Sequence, residues 1–244
     1  MLDTLVCAVQ NALLTLTGAV GRVNPLGRLR EGVGITSGQV DQYRWAWEAH
    51  NAAALAKDGP LLVVLGDSAA QGIGASTPFD GWVGQVVGRM RDADGVPWRV
   101  VNLSVSGARA RDVLDSQLPR LYRLGQPVQL VICAVGGNDM YRTPSWLVRE
   151  HFSRLVRSLP APGTLAEDQR TVMTTLPQGL GRRRARIAGD IVTQQAPQRG
   201  ILVADLWATT GPPWQGKYAE DYFHPNDVGY GLWADAIVPA ARAA

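Results

Sequence analysis

Two short segments of the chain contain the three residue types that together can activate a hydroxyl nucleophile. Ser68 closes the tripeptide Gly66-Asp67-Ser68, and Asp221 precedes His224 by three residues. A serine hydroxyl is a weak nucleophile until a base removes its proton, and an acidic group best orients that base. The three-residue spacing lets one turn of chain bring the Asp221 carboxylate against an imidazole nitrogen. We therefore expect Ser68, His224 and Asp221 to serve as nucleophile, base and acid in acyl transfer.

Two further segments supply donors for the negative charge that develops during such a reaction. Gly107 lies in Ser-Gly-Ala-Arg, and Asn138 lies in Gly-Gly-Asn-Asp. A tetrahedral oxyanion needs hydrogen-bond donors already fixed in place. The amides of Ser68 and Gly107 and the side-chain NH2 of Asn138 can supply three, and a glycine at position 107 lets the backbone approach closely.

Each segment alone also has a plain structural reading. Gly-Asp-Ser and Gly-Gly-Asn-Asp are common turns, and Asp-x-x-His before a helix can be an N-cap. His50 and His151 lie in helical stretches with no serine or acid pattern beside them. Four loops that present the required residue types in order favour the catalytic reading.

The elements that must position these residues follow from the apolar pattern. The predicted strands are Leu61–Leu65, Arg99–Leu103, Val128–Val135, Thr171–Thr175 and Ile201–Leu206. The predicted helices between and after them are Trp82–Arg91, Arg111–Leu124, Ser145–Ser158, Arg182–Gln195 and Val228–Ala241. This alternation is typical of α/β proteins with a doubly wound five-stranded parallel sheet, in flavodoxin-like strand order. Such a sheet binds ligands at the loops that follow its strands, where all four segments fall.

Residues 1–58 precede the first predicted strand and form a separate N-terminal helical extension, with the catalytic domain spanning 59–244. Apolar residues from Leu2 to Val20 recur at helical spacing, a Gly/Pro-rich stretch covers Gly21–Gly38, and a second helical segment runs over Gln39–Lys57. We expect a helical layer packed on the domain. A lid, or a surface contact with a membrane through residues 1–23, is the alternative.

Composition indicates a globular protein and narrows the partners. Hydrophobic residues make up 46% of the 244 residues and charged residues 18%, with a net charge of +3. The segment before Arg22 lacks the positive start of a secretory signal, and no apolar run reaches the ~20 residues of a membrane span. Cys7 and Cys133 are too few for a disulfide framework. We expect a cytoplasmic protein that neither spans a membrane nor binds nucleic acid, since no basic run is interleaved with aromatic residues.

The four segments together resemble the four blocks of the SGNH (GDSL) hydrolase family, over about residues 60 to 242. In this resemblance Ser68 matches the nucleophile, Gly107 and Asn138 the oxyanion-hole residues, His224 the base and Asp221 the acid. The first block differs, because it reads Gly-Asp-Ser-Ala instead of Gly-Asp-Ser-Leu. The resemblance implies an acyl-Ser68 intermediate, attacked by water or by another hydroxyl, with no metal and no organic cofactor.

The substrate is open to more than one interpretation. The arginine-rich chain and its helical lead-in are similar to the cytoplasmic actinobacterial sugar O-acyltransferases of this family, such as the mycobacterial octanoyltransferase of methylglucose lipopolysaccharide synthesis. That similarity implies transfer from acyl-CoA to a glucosylglycerate-type hydroxyl. An intracellular esterase or thioesterase is the alternative. A non-catalytic acyl- or sugar-binding module is a remote one, because it would not require Ser68, Asp221 and His224 together.

Several residues are candidates for contact with the substrate. Asp67 and Arg109 belong to two of the four segments, and Trp214 and Tyr218 precede Asp221 closely enough to form an acceptor platform. Arginine is abundant, since Lys57 and Lys217 are the only lysines among 24 basic residues. The arginines at 182, 183, 184 and 186 are either a solvated helix face or a binding site for a coenzyme A phosphate or a sugar-acid carboxylate.

Overall fold

The structure, a computed structural model, describes residues 25–179 and 181–243. The strands are β1 (Leu61–Gly66), β2 (Arg99–Asn102), β3 (Leu130–Ala134), β4 (Arg170–Thr174) and β5 (Leu202–Ala204). The helices are α1 (Pro25–Leu55), α2 (Trp82–Asp94), α3 (Ala110–Asp112), α4 (Leu118–Tyr122), α5 (Asp139–Arg142), α6 (Ser145–Ser158), α7 (Arg182–Gln195), α8 (Leu206–Thr209) and α9 (Asp227–Arg242). A π-helical turn, Val113–Gln117, joins α3 to α4, and a 3-10 turn, Pro197–Arg199, follows α7.

The five strands form one parallel sheet in the order β2-β1-β3-β4-β5. This order confirms the predicted flavodoxin-like arrangement. The chain adds β2 on one side of β1 and then β3, β4 and β5 on the other side. Val63 of β1 lies opposite Val101 of β2 on one side and Val131 of β3 on the other. The carboxyl ends of β1, β2 and β3 therefore meet at one edge, and the loops that carry Ser68, Gly107 and Asn138 leave from it.

Both faces of the sheet are buried under helices, which explains the continuously apolar strands. Leu61, Val63 and Leu65 join one core cluster, while Leu62 and Val64 join the cluster on the opposite face. Burial of each such side chain contributes roughly 1.5–3 kcal/mol relative to exposure. The central strand β1 is thus fixed from both sides, and its last residue leads directly into the Ser68 loop.

The expected break at Gly21–Gly38 is wrong for the part that the structure describes, because α1 is one continuous helix from Pro25 to Leu55. Proline is well tolerated at the first position of a helix. A glycine inside a helix costs roughly 0.5–1 kcal/mol, and burial of Leu29, Tyr43 and Trp47 against the domain offsets that cost. Tertiary contacts have overridden local propensity here.

The division of the chain at residue 58 stays a prediction. The expected apolar stripe from Leu2 to Val20 and the possible surface contact through residues 1–23 lie outside the described residues. Within residues 25–179 and 181–243, no helix combines the length and the apolar character needed to cross a membrane.

Candidate active site

Ser68 lies in the loop immediately after β1 and is only 8% exposed. Its neighbourhood is a series of tight turns, in which the amides of Ala70 and Gln71 donate to the Asp67 carbonyl oxygen and the Ile73 amide donates to that of Ser68. The next helix, α2, begins only at Trp82. These turns hold the backbone on the C-terminal side of Ser68.

The structure brings Ser68, His224 and Asp221 together in the expected order. Nε2 of His224 lies 2.9 Å from Oγ of Ser68, and Nδ1 of His224 lies 2.6 Å from Oδ2 of Asp221. Ser68 and His224 are far apart in sequence, so the sheet edge and the loop before α9 create the contact. The geometry permits proton transfer from the hydroxyl to the imidazole while the carboxylate orients the ring.

The Asp221 carboxylate is fixed by the backbone of its own turn. Its Oδ1 accepts hydrogen bonds from the amides of Phe223 and His224, both at 2.9 Å. Tyr222, which follows Asp221 directly in this turn, adopts a positive φ of 52°, a conformation uncommon for residues other than glycine. Burial would raise the pKa of Asp221, but the His224 imidazole and these two amides outweigh burial and lower it. Asp221 is 1% exposed and ionised over the neutral range.

The expected oxyanion donors surround the same serine. Ser68, Gly107 and Asn138 line a common cavity. Gly107 has a φ of +83°, and a Cβ placed on it would meet no atom within 4 Å. The reason for glycine is therefore its backbone conformation, instead of the close approach that the sequence suggested. The amide nitrogen Nδ2 of Asn138 donates to the Ala108 carbonyl oxygen at 3.1 Å, which orients the side chain.

Gln71 connects the Ser68 loop to the Gly107 loop and was missed from the sequence. Its Nε2 donates to the Ser104 carbonyl oxygen at 3.1 Å, and its Oε1 accepts from the Ser106 hydroxyl at 2.6 Å. Gln71 is buried, and its own carbonyl oxygen accepts from the indole N–H of Trp47 in α1 at 3.0 Å. A buried glutamine at a turn has no distinctive sequence signal, so only the structure reveals this role.

Asp67, a predicted substrate contact, lies beside the nucleophile and lines a cavity together with Ser68, and its carboxylate is bonded to backbone amides. It is 4% exposed, its Oδ1 accepts from the Ala69 amide, and its Oδ2 accepts from the amides of Gly136 and Gly137. Burial raises the pKa of this carboxyl, and the amides and the nearby His224 partly oppose that rise. This arrangement favours a positioning role, in which Asp67 ties the loop after β1 to the loop after β3.

Asp139 forms a second buried brace, which the sequence analysis did not single out. Its Oδ2 accepts from the Ala110 amide at 2.9 Å, and its Oδ1 accepts from the Thr143 hydroxyl at 3.1 Å. Asp139 is fully buried, and burial raises its pKa. The brace joins the element after Gly107 to the element that carries Asn138. The only indication of this role in the sequence is the position of Asp139, a carboxylate directly after Asn138 in the loop that follows a strand.

The other predicted substrate contacts divide into two groups. Trp214 and Tyr218 line a cavity together with Ser68 and His224, and their ring centroids are 6.1 Å apart. Arg109 lines neither cavity beside Ser68; its Nε lies 3.5 Å from Oδ2 of Asp112. The aromatic pair therefore lies in a cavity beside the reacting groups, and Arg109 lies outside both cavities.

The arginine-rich start of α7 is engaged with the protein itself. Nη1 of Arg184 donates to the Met140 carbonyl oxygen at 2.6 Å. The guanidinium groups of Arg182 and Arg186 lie over the Trp207 ring, 5.8 and 5.2 Å from its centroid. These contacts favour a helix face without a ligand over a binding site for a phosphate or a sugar-acid carboxylate.

Two cavities adjoin Ser68 and His224. The first encloses about 90 Å³ and runs from Ser68 along the ends of β3 and β4. Its walls are mainly apolar and include Val135, Met140, Leu176, Leu206 and Leu232. The second encloses about 140 Å³ and lies between the Gly107 loop and α1. Two spaces are therefore available to the groups of an ester bound at Ser68.

Metal ligands are not grouped in the described part of the chain, where no three His, Cys, Asp or Glu side chains lie together in a metal-binding arrangement. Cys133 is a free, buried thiol in β3, and burial raises its pKa strongly. Cys7 lies outside the described residues.

Comparison with known proteins agrees with this geometry. The family model for the GDSL-like Lipase/Acylhydrolase family matches residues 64–232. Among solved structures, TesA is 24% identical with a TM-score of 0.60, over 75% of this chain and 98% of its own. Axe2, an acetylxylan esterase from Geobacillus stearothermophilus, is 22% identical with a TM-score of 0.59, over 77% and 96%. EstA, a psychrotrophic esterase from Pseudoalteromonas sp., is 20% identical with a TM-score of 0.56, over 74% and 95%. No curated protein sequence matches.

The match to the family model covers more than half of the chain and settles the class of protein. The chain belongs to the GDSL-like lipase/acylhydrolase family, and it is an SGNH-type serine enzyme. The structural similarities show the shared fold. Helix α1 precedes the residues that the family model matches.

Proposed function

We propose that the protein forms an acyl-Ser68 intermediate and transfers the acyl group to a hydroxyl acceptor. The observation that carries this proposal is the hydrogen-bonded series of Ser68, His224 and Asp221, with distances of 2.9 and 2.6 Å. A non-catalytic binding module would have no use for a nucleophile, base and buried acid in this order.

The proposed reaction has two balanced steps. In the first, Oγ of Ser68 attacks the acyl carbonyl, and its proton passes to Nε2 of His224 and then to the departing alcohol or thiol. In the second, water or another hydroxyl gives its proton to His224 and attacks the acyl carbon. The bond from that carbon to Oγ of Ser68 then breaks, His224 returns the proton to Oγ, and the acid or new ester departs. The amides of Ser68 and Gly107 and the Asn138 side chain stabilise the oxyanion in both steps, and one such donor contributes about 3 kcal/mol.

The first cavity suits an acyl chain. Its walls are mainly apolar, and it begins at Ser68. Burial of apolar surface stabilises a bound alkyl chain by about 0.8 kcal/mol per methylene group. Acyl groups longer than acetyl are therefore the preferred substrates in this proposal, and octanoyl is the specific candidate that the resemblance to sugar O-acyltransferases suggests.

Transfer to a sugar hydroxyl, with acyl-CoA as donor in the cytoplasm, is the finer part of the proposal. Trp214 and Tyr218 line the first cavity near His224, on the side that this proposal gives to the acyl chain. Helix α1 is hydrogen-bonded to the turns after Ser68, through Trp47 to the Gln71 carbonyl oxygen and through Tyr43 to that of Ala75, which supports shielding of the acyl intermediate from water. Hydrolysis by an intracellular esterase or thioesterase is the alternative, since water can take the place of the sugar in the same second step.

A partition experiment distinguishes these two outcomes. The enzyme receives octanoyl-CoA with and without a glucosylglycerate-type acceptor at millimolar concentration, and mass spectrometry measures ester and free octanoate. A transferase forms mainly the ester, and Ser68→Ala forms neither product. Dominant release of free octanoate in the presence of acceptor would reject transfer and leave an esterase or thioesterase.

A further inference from the structure

The second cavity beside Ser68 has a wall that the family model does not include. Val33, Thr36, Ser37 and Val40 of α1 line it, opposite Gly107. The family match begins at residue 64, after α1. The first cavity has no lining residue from α1. The two cavities therefore differ in which part of the chain shapes them.

The two cavities also differ in which side chains line them. Ser37, Ser106 and Arg142 line the second cavity and not the first, whereas Leu176, Leu206 and Leu232 line only the first. An ester bound at Ser68 has two substituents on its reacting group, an acyl chain and an alcohol. An apolar space suits the acyl chain, and a space with hydroxyl and guanidinium groups suits a hydroxyl compound.

We propose that the second cavity is the alcohol subsite and that α1 determines which alcohols it accepts. The subsite holds the departing alcohol during acylation of Ser68 and the attacking hydroxyl compound during deacylation. This inference rests on the proposed acyl-Ser68 reaction. Val40 and Val33 are specificity-determining residues in it, because their side chains limit the size of the alcohol.

The wall can select by size because α1 is fixed relative to the serine. Oε1 of Gln39 accepts from the Gly74 amide at 2.8 Å, and the Tyr43 hydroxyl donates to the Ala75 carbonyl oxygen at 2.7 Å. Together with the bond from Trp47 to Gln71, these contacts join α1 to the turns that follow Ser68. A larger side chain on α1 must therefore reduce the cavity instead of moving the helix away.

The test uses two ester series and three variants of the full chain. One series keeps methanol as the alcohol and extends the acyl group from acetyl to octanoyl; the other keeps butyrate and changes the alcohol from methanol to methyl glucoside. Val40→Phe fills the subsite and Val40→Ala enlarges it. Ile35→Phe is the control, since Ile35 lies on α1, is 47% exposed and lines neither cavity.

Val40→Phe is expected to lower kcat/KM for the sugar ester by roughly tenfold or more and to change the value for methyl butyrate by less than about twofold. Val40→Ala is expected to raise the ratio of sugar ester to methyl ester, and Ile35→Phe to leave it unchanged. Equal loss on both esters, a loss that follows acyl length, or an unchanged ratio in Val40→Ala would overturn the subsite.

Failure of the underlying reaction has a different signature. A wild-type protein that is not labelled on Ser68 by a fluorophosphonate, and that hydrolyses no member of either series, would reject the proposed function. If the fluorophosphonate labels Ser68, but the Val40 variants change kcat/KM equally for all alcohols, only the alcohol subsite is rejected. Folding of each variant is checked by its thermal unfolding transition.

Discussion

The backbone of Gly32 in α1 lies directly against the backbone of Glu220, so that a Cβ on Gly32 would stand 2.1 Å from the Glu220 carbonyl oxygen. Glu220 precedes Asp221, and the same Cβ would lie 2.7 Å from the Asp221 amide nitrogen. Such distances are well inside van der Waals contact. The N-terminal helix and the loop of the proposed catalytic acid are therefore in direct backbone contact.

Gly32→Ala is expected to displace the Asp221 loop and lower kcat by roughly 10–100-fold, because misplacement by about 1 Å can have that effect. The measurement is steady-state kinetics on a p-nitrophenyl ester, together with the far-UV circular dichroism that reports folding. The pH profile of kcat/KM is also expected to change, since the Asp221–His224 contact is disturbed.

Gly34→Ala and Gly38→Ala are matched controls on the same helix, because a Cβ at either position meets no atom within 4 Å. Each is expected to retain activity and to gain about 0.5–1 kcal/mol of stability from its higher helix propensity. Wild-type kcat in a folded Gly32→Ala protein, or an equal loss in all three variants, would contradict the contact's role.

Asn138→Ala is expected to lower kcat by roughly 10²–10³ with a modest change in KM, because its bond to substrate forms mainly in the transition state. Asn138→Asp is expected to be at least as damaging, since it places a negative charge where one must develop. The measurement is kcat and KM on one ester. An increase in KM alone would show that Asn138 binds the substrate ground state.

Asp139→Asn is expected to become more stable relative to wild type as the pH rises. An aspartate has a pKa of about 3.9 in an unfolded chain, and burial raises the pKa of Asp139 in the folded protein. The folded state then binds the proton more tightly, so the contribution of Asp139 to stability is present below about pH 4 and is lost as the pH rises through its folded pKa.

Asparagine preserves both hydrogen bonds at this position, because its oxygen can accept from the Ala110 amide and its NH2 can donate to the Thr143 hydroxyl. Urea unfolding of both proteins at pH 4.5, 6 and 8 measures the difference in free energy of unfolding. A difference that is the same at all three values would show that Asp139 has no raised pKa.

The sequence was sufficient for the sheet and the reacting groups. Apolar runs in β1 and β3 are buried on both faces, so composition alone identifies them, and the parallel order places the Ser68, Gly107 and Asn138 loops at one edge. The Ser68–His224 contact also requires the loop before α9 to reach that edge, because β3 and β4 lie between β1 and β5 in the sheet. Its distances and the orientation of Asn138 by Ala108 depend on loop geometry, which has no simple pattern in the residues.

The sequence failed where tertiary contacts replaced local preference. The glycines of α1 predicted a break, yet α1 is one continuous helix. Its Gly32 allows the helix backbone to approach that of Glu220 closely. Nothing in the sequence indicates that Asp67 accepts hydrogen bonds from the amides of Gly136 and Gly137. The second cavity combines residues of α1 with loops far along the chain, and such a combination is visible only after folding.

The most direct test of the acyl-Ser68 reaction is mass spectrometry of the enzyme quenched in acid during turnover of p-nitrophenyl octanoate. We predict an octanoyl adduct on the peptide that contains Ser68, and neither adduct nor turnover in a folded Ser68→Ala protein. His224→Ala is predicted to be almost as inactive, because the members of the triad act as a unit. Near-normal turnover by folded Ser68→Ala, or an octanoyl group on another residue, would contradict the account.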